Sequence, residues 1–368
     1  MSKAIEVVSG FLNDSDQWSA SLCGTEAIRS LETKFTGLVG HSFAVAVCNA
    51  TCGLYAAFNA LEIQDSDVVT TPFTWAGSLV GLLMTGNRPV FADIDPHTLT
   101  LDPASVVKSI TPKTRAILAV DVYGFPCKGN ELQAIADKFN LRIIQDCAQS
   151  FGSYVRGHHS GWWADASVFS FGPGKPLFAG EGGIVTFRNR IPYERMIAAT
   201  QHPLRQMRDL PGIIPNEFFL NIRINPLAAV WADTMFDEAL LSVEGHRKRC
   251  LDILKVMAER ELIRQPLIEF DIAQPSFHVL SVEPLCRPAK LQKALDDIDP
   301  NYCVELLPIR KLLHKHAFFR RLAAERKWPQ SERCQIAEYQ CRNRLRIQIK
   351  QGFGKLEESA AYKRDQKR

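Results

Sequence analysis

VFSFGPGKPLFAGEGG, from Val168 to Gly183, joins an apolar run to a glycine- and proline-rich turn that carries a single lysine, Lys175. The run Val168 to Phe171 does not alternate apolar with polar over its length. That is the pattern of a strand covered on both faces of a parallel sheet, and it brings Ser170 to the sheet edge. Lys175 is the one charged residue between Ser167 and Gly180. An amine partly withdrawn from water, and near another cationic group, loses basicity and becomes a nucleophile toward a carbonyl. A solitary lysine is usually a solvated surface residue, but the uncharged loop around this one argues against that reading.

Working outward, short β-branched runs recur at Phe43 to Val47, Val68 to Thr71, Pro89 to Phe91, Ala116 to Val120, Arg142 to Ile144 and Gly183 to Phe187. Between them lie helical patterns: Thr25 to Leu38, with Ile28, Leu31, Phe35 and Leu38 on one face, and Gly129 to Phe139. This alternation predicts an α/β domain built on a mostly parallel sheet. From Pro226 to about Arg260 the pattern becomes one long helix, with Pro226 suited to the first turn. It reads as the bridge to a smaller C-terminal domain containing a strand, Ser276 to Val282, and a helix, Pro288 to Asp297. The expected division is 1–235 for the large domain with its N-terminal segment, 236–355 for the small domain, and 356–368 as a frayed polar tail.

In an open parallel sheet, ligands bind beyond the carboxyl ends of the strands. After the first strand come Cys48, Asn49, Ala50, Thr51, Cys52 and Gly53, then a helix. Small residues at such a junction either serve tight packing or let amides approach a phosphate at the helix N-terminus. No Gly-x-Gly-x-x-Gly or Gly-Lys-Ser/Thr loop follows, which removes the support for a dinucleotide or nucleoside triphosphate. Asp146 closes the apolar run Arg142 to Ile144. A carboxylate there either caps a following helix or faces a cation, and a protonated pyridine nitrogen is one such cation.

At 368 residues, 46% hydrophobic and 23% charged, the chain can bury a substantial core. The net charge of +4 comes largely from a C-terminal cluster, Arg320, Arg321, Arg326, Lys327, Arg342, Arg344 and Arg346, which reads as a solvated face. No nucleic-acid motif accompanies it. No leader pattern or long apolar run is present, so no membrane contact and a cytoplasmic location are expected. Ten scattered cysteines lack zinc-type spacing, so no metal is expected and buried free thiols are.

The motifs together resemble the DegT/StrS-type sugar aminotransferases, fold type I pyridoxal-phosphate enzymes. The resemblance is carried, in the family's order, by Gly24-Thr25-Glu26, Thr71 to Trp75, Val90 to Pro96, Val122-Tyr123-Gly124, Asp146 to Gln149, Ser170-Phe171, Lys175 and Gly180 to Gly183. It runs from about Gly24 to about Arg249 and continues faintly to Phe319. It implies a large domain with a seven-stranded, mostly parallel sheet and a smaller C-terminal α/β domain. It also implies pyridoxal 5′-phosphate as cofactor, with pyridoxamine phosphate as the intermediate. By the same resemblance Lys175 is the Schiff-base and proton-moving lysine, Asp146 the partner of the pyridine nitrogen, and Gln149 a contact of the phenolic oxygen. Trp75 is the stacking aromatic, a position otherwise read as core. Ala50, Thr51 and Ser170 are phosphate contacts, and Asn221 reaches the phosphate from the neighbouring subunit of a homodimer with a shared active site.

Three positions depart from the family pattern. Ala50 replaces a glycine, and Pro176 replaces an asparagine, which removes two donors. Leu307-Pro308-Ile309-Arg310 replaces a tyrosine followed by Pro-Leu-His. The implied activity is ping-pong transamination from an amino acid donor, glutamate or glutamine, to a keto acceptor such as a keto sugar. Arg223 and Arg310 are the candidate substrate contacts. Alternatives on the same scaffold are dehydration, elimination or cyclisation, or a non-catalytic regulatory protein.

Overall fold

The computed structural model describes residues 2–16, 21–265, 268–270, 272–329 and 334–349, so the stretch 356–368 lies outside it. Its strands up to residue 187 are β1 (Phe43–Val47), β2 (Asp67–Thr70), β3 (Arg88–Phe91), β4 (Thr114–Val120), β5 (Arg142–Asp146), β6 (Tyr154–Val155), β7 (His158–His159), β8 (Ala166–Ser170) and β9 (Gly183–Phe187). Seven of these form one sheet in the order β1-β9-β8-β5-β4-β2-β3. β9 runs antiparallel to both its neighbours, and the remaining pairings are parallel. The expected seven-stranded, mostly parallel sheet is what forms.

The continuous apolar runs follow from burial on both faces. In β1, Ala44 and Ala46 pack with Ile28, Leu31 and Phe35 of the helix Glu26–Val39. Val45 and Val47 point the other way, into a cluster with Leu54 and Phe58 of the helix Ala50–Ala60. Thr25 starts the first helix by accepting from Ile28 N at 3.3 Å, and Gly40 ends it at φ +79°, a left-handed conformation that favours glycine. The helix Pro226–Glu259 begins the same way, with Asn225 Oδ1 accepting from Leu227 N at 2.9 Å. It passes unbroken through residue 235.

Beyond it, β10 (Ala273–Gln274) adds to β6 and β7, while β11 (Leu280–Val282), β12 (Tyr302–Leu306) and β13 (Leu345–Ile349) form an antiparallel sheet in the order β11-β13-β12. The helix Pro288–Ile298 buries Leu291 and Leu295 near it. One buried cluster runs continuously from Val45 to Ile347, so the two sheets share a core.

Three expectations need correction. The strand expected over Ser276 to Val282 is confined to Leu280–Val282, because Ser276 N and Val279 N donate sideways to Gly124 O (3.2 Å) and Tyr123 O (3.3 Å). The basic cluster is not all solvated. Arg320, Arg321, Arg326, Lys327 and Arg342 are exposed, but Arg344 is buried. Its guanidinium donates to Gln340 Oε1 (2.8 Å), Ser281 O (3.3 Å) and Pro96 O (3.1 Å), which a forked five-donor group can satisfy out of water. The ten cysteines are thiols, but only Cys127, Cys147, Cys250, Cys334 and Cys341 are buried.

Candidate active site

The carboxyl ends of β1, β2, β4, β5 and β8 and the start of β9 meet at one edge of the large sheet. Val47 pairs with Gly183, and Gly183 with Ser170, so the turn after β1 and the end of β8 lie side by side. A side chain at 183 would bring its Cβ to 2.9 Å from Ala50 N, so only glycine lets the helix Ala50–Ala60 start this close to the strand. Asn49 caps that helix, accepting from Cys52 N at 2.9 Å. The first-turn N–H groups of Ala50 and Thr51 have no intrahelical acceptor, and the dipole of the helix favours an anion there. Ser170 Oγ accepts from Gly172 N at 3.3 Å, which leaves its O–H free to donate. The turn packs tightly, and its first N–H groups remain without an intrahelical acceptor.

Trp75 is 68% exposed, which removes the core-aromatic reading. Its indole leans over Gly77: a Cβ there would meet Trp75 Cδ1 at 3.1 Å and Thr51 Oγ1 at 3.2 Å. A flat aromatic thus stands beside the start of the helix Ala50–Ala60 with area to spare for a second ring.

Asp146 ends β5, buried and in register between Val120 and Val168. Oδ1 accepts from Ala148 N (3.0 Å) and Oδ2 from Ser78 Oγ (2.7 Å). No helix follows, so the helix-cap reading gives way to a short turn. Burial pushes the Asp146 carboxyl up, and Ser78, Ala148 N and the charge of Lys175 oppose that push. No cationic side chain is bonded to Asp146 among the described residues, so the buried carboxylate is held by two neutral donors. Gln149 Oε1 accepts from Tyr123 N at 2.9 Å, which turns its NH2 end into the available donor.

Lys175 follows a turn in which its N–H donates to Gly172 O at 3.2 Å. Burial lowers the Lys175 amine below the usual lysine range, and the opposing Asp146 charge does not restore it. Proline at 176 adds no donor to this loop.

Asn221 and Arg223 arrive from outside the main sheet. Cys48 N donates to Ile222 O (2.7 Å), and Val47 bridges Arg223, so this segment lies along the end of β1. Arg223 Nε donates to Asn221 Oδ1 at 2.9 Å, and both line a cavity of about 410 Å³ with Cys48, Glu181, Ile224, Asn225 and Pro226. Arg310 is exposed on the loop after β12. That loop is tied down where Ile309 N donates to Tyr123 Oη (3.2 Å) and Leu313 N to Pro72 O (3.1 Å). The structure therefore brings Ala50, Thr51, Trp75, Asp146, Gln149, Ser170 and Lys175 to one sheet edge, with Asn221 and Arg223 beside the end of β1.

Three residues near the site carried no role in the sequence reading. Ser78 bonds Asp146. Tyr123, at φ +59°, links Gln149 to the Ile309 loop. His278 lies between the two backbone bonds that tie its segment to Tyr123 and Gly124. Burial, with the charges of Lys175 and His246, lowers its imidazole to about 3, so it stays neutral. A lone serine and a lone histidine carry no spacing signal, and only Tyr123 stood in a recognisable motif.

The sequence profile of the DegT/DnrJ/EryC1/StrS aminotransferase family matches residues 12–335, further in both directions than the motifs reach. The chain is 36% identical over 171 residues to GDP-perosamine synthase of Escherichia coli O157:H7, covering 46% of this chain and 47% of that protein. It is 39% identical over 159 residues to UDP-N-acetyl-3-dehydro-alpha-D-glucosamine 3-aminotransferase of Acidithiobacillus ferrooxidans, covering 43% of each. These matches span a little under half the length of the curated relatives. The fold is similar to that of an aminotransferase from Psychrobacter cryohalolentis, with a TM-score of 0.78 at 23% identity over 95% of this chain and 92% of that one.

Proposed function

The chain belongs to the DegT/DnrJ/EryC1/StrS aminotransferase family, and from that premise we propose that it is a pyridoxal-phosphate-dependent sugar aminotransferase. The observation that carries this reading is the convergence, at one sheet edge, of a half-buried amine, a buried carboxylate held only by neutral donors among the described residues, and a helix start with free N–H groups. The residues present fit the cofactor. The N–H groups of Ala50 and Thr51 with the Ser170 hydroxyl suit its phosphate, Trp75 the face of its ring, Gln149 its phenolic oxygen, and Asp146 its ring nitrogen.

When bound, the cofactor supplies a carbonyl that carries the amine and a ring that accepts electrons from the reacting carbon. The chain supplies the rest. Lys175 Nζ, its basicity lowered by burial, is the nucleophile that holds the carbonyl and the base that moves a proton at the α-carbon of the donor. Asp146 keeps the ring nitrogen protonated. The donor is glutamate or glutamine and the acceptor a nucleotide-linked keto sugar; both curated relatives' names carry a nucleotide-linked sugar, and the second a 3-dehydro sugar. Arg223, which lines the cavity beside β1, and the exposed Arg310 are our candidate cations for the acceptor's anionic group. Small soluble substrates and a chain whose described helices are too short or polar to cross a membrane suit a cytoplasmic enzyme.

We read the active unit as a homodimer. Ile214 and Phe218 are 95% and 96% exposed, just ahead of Asn221 and Arg223, an apolar stretch that a second subunit would cover. Phe218→Asp is expected to give monomers in sedimentation and to lose activity in parallel.

The test of the reaction is the visible spectrum of the cofactor-loaded protein with L-glutamate. Bleaching of the long-wavelength band with release of 2-oxoglutarate is the expected result. A band that ignores both glutamate and glutamine would move the assignment to dehydration, elimination or cyclisation.

A further inference from the structure

Behind Asp146 stands a line of hydroxyls that the reaction scheme leaves unused. Thr74 Oγ1 lies 2.9 Å from Ser78 Oγ, and Ser78 Oγ lies 2.7 Å from Asp146 Oδ2. All three residues are buried, Thr74 at 2%, Ser78 at 4% and Asp146 at 5% exposure. Water is therefore not the default partner of these groups.

The direction of the line follows from valence. An ionised carboxylate only accepts, so the 2.7 Å contact needs the Ser78 proton. A hydroxyl has one proton to give, so at its other contact Ser78 can only accept, and Thr74 must donate. The order Thr74 to Ser78 to Asp146 is fixed for as long as Asp146 is ionised. Each hydroxyl in such a chain polarises the next, and a bond to a charged acceptor is stronger than one between neutral groups.

Geometry adds a second constraint. Oδ1 is held by Ala148 N in the turn after β5, and Oδ2 by a side chain from the first turn of the helix Gly77–Met84. Two donors from different elements set the plane of the carboxylate. Ser78 N also donates to Trp75 O at 3.1 Å, so one residue is bonded to both Trp75 and Asp146.

We propose that Ser78, backed by Thr74, is a positioning residue that holds Asp146 ionised and oriented toward the cofactor ring. This rests on the aminotransferase reading, because without a ring nitrogen the carboxylate has nothing to face. Burial already pushes the Asp146 carboxyl upward, and Ser78 leads the groups that oppose it. Removing the hydroxyl leaves the carboxylate with one donor from the protein.

The experiment compares wild type, Ser78→Ala, Ser78→Thr and Thr74→Val. Pyridoxal-phosphate affinity is measured by equilibrium dialysis, and the glutamate half-reaction is followed by absorbance across pH. Ser78→Ala is expected to weaken cofactor binding, to slow the half-reaction by roughly ten- to a hundredfold, the usual effect of losing an outer-shell partner, and to move its acid limb to higher pH. The sign follows because a carboxyl deprived of a donor ionises less readily. Ser78→Thr keeps a hydroxyl and is expected to restore all three readouts. Thr74→Val keeps Ser78 and is expected to shift the limb the same way by less. It also serves as the test if Ser78→Ala does not fold.

Ser78→Ala with wild-type affinity and an unmoved acid limb would overturn the proposal while leaving the aminotransferase reading intact. So would an unmoved limb in Thr74→Val, where Ser78→Ala is not recoverable. Wild-type protein that binds no pyridoxal phosphate would sink both.

Discussion

Arg205 and Lys175 are both cations withdrawn from water, and their surroundings treat them in opposite ways. The Arg205 side chain, 3% exposed, donates from Nη2 to Glu32 Oε1 (2.8 Å) and Oε2 (2.9 Å), from Nε to Asp209 Oδ2 (3.0 Å) and from Nη1 to Gln201 Oε1 (3.2 Å). Burial pulls its guanidinium down, and the charges of Glu32 and Asp209 more than reverse the effect, so it stays charged at any pH. Among the described residues Lys175 has no bonded carboxylate, and burial wins. Where the anion is bonded, the buried cation is structure. Where the anion is near but unbonded, the amine is free for chemistry.

The contrast breaks most visibly at Lys175 itself. Lys175→Ala is expected to cut turnover by at least about 10⁴-fold, since it removes both nucleophile and base, while the melting temperature does not fall. A loss of stability matching the loss of activity would make Lys175 structural instead.

On the other side, Glu32→Gln leaves the buried Arg205 guanidinium with Asp209 as its one carboxylate and should destabilise the protein by up to roughly 3 kcal/mol in denaturant unfolding. Its effect on activity should follow the folded fraction. Glu32 also accepts from Ala46 N at 2.8 Å, so the variant disturbs the helix Glu26–Val39 and β1 together.

A pH series sharpens the difference. The pKa of Lys175 is lower folded than unfolded, so in the window between the two the unfolded chain binds more protons and stability rises with pH. Lys175→Met removes this dependence. In the cofactor-free protein it should be the more stable form at pH 7, and the gain should vanish as pH passes about 10.4, the ordinary lysine value. A constant difference across the series would contradict the assigned shift. Smallest of all, Glu194→Gln breaks the exposed pair with Arg190 (2.5 Å) and should leave the unfolding midpoint where it was.

Much of this was legible in sequence because single-strand patterns carry it. The runs Phe43–Val47 and Gly183–Phe187 are strands at the residues expected, and Gly129–Phe139 is a helix at its expected ends. The β5 strand extends two residues past its apolar run, to Asp146, because ladder bonding continues after hydrophobicity stops. What escaped was long-range. Ser78 and Asp146 are 68 positions apart, and a serine at the start of a helix is ordinary by itself. Arg344 reads as one more surface charge until Pro96 and Ser281 surround it. Ser276 to Val279 look like strand, but the N–H groups of Ser276 and Val279 turn toward the Tyr123 loop, which no local pattern encodes.

The central claim is that Lys175 is the residue that holds the cofactor carbonyl. Borohydride reduction of the protein loaded with pyridoxal phosphate, followed by peptide mass spectrometry, reads this directly. The expected result is one phosphopyridoxyl group on the peptide containing Lys175 and none in Lys175→Ala. Labelling spread over surface lysines, or retained in the variant, would contradict it.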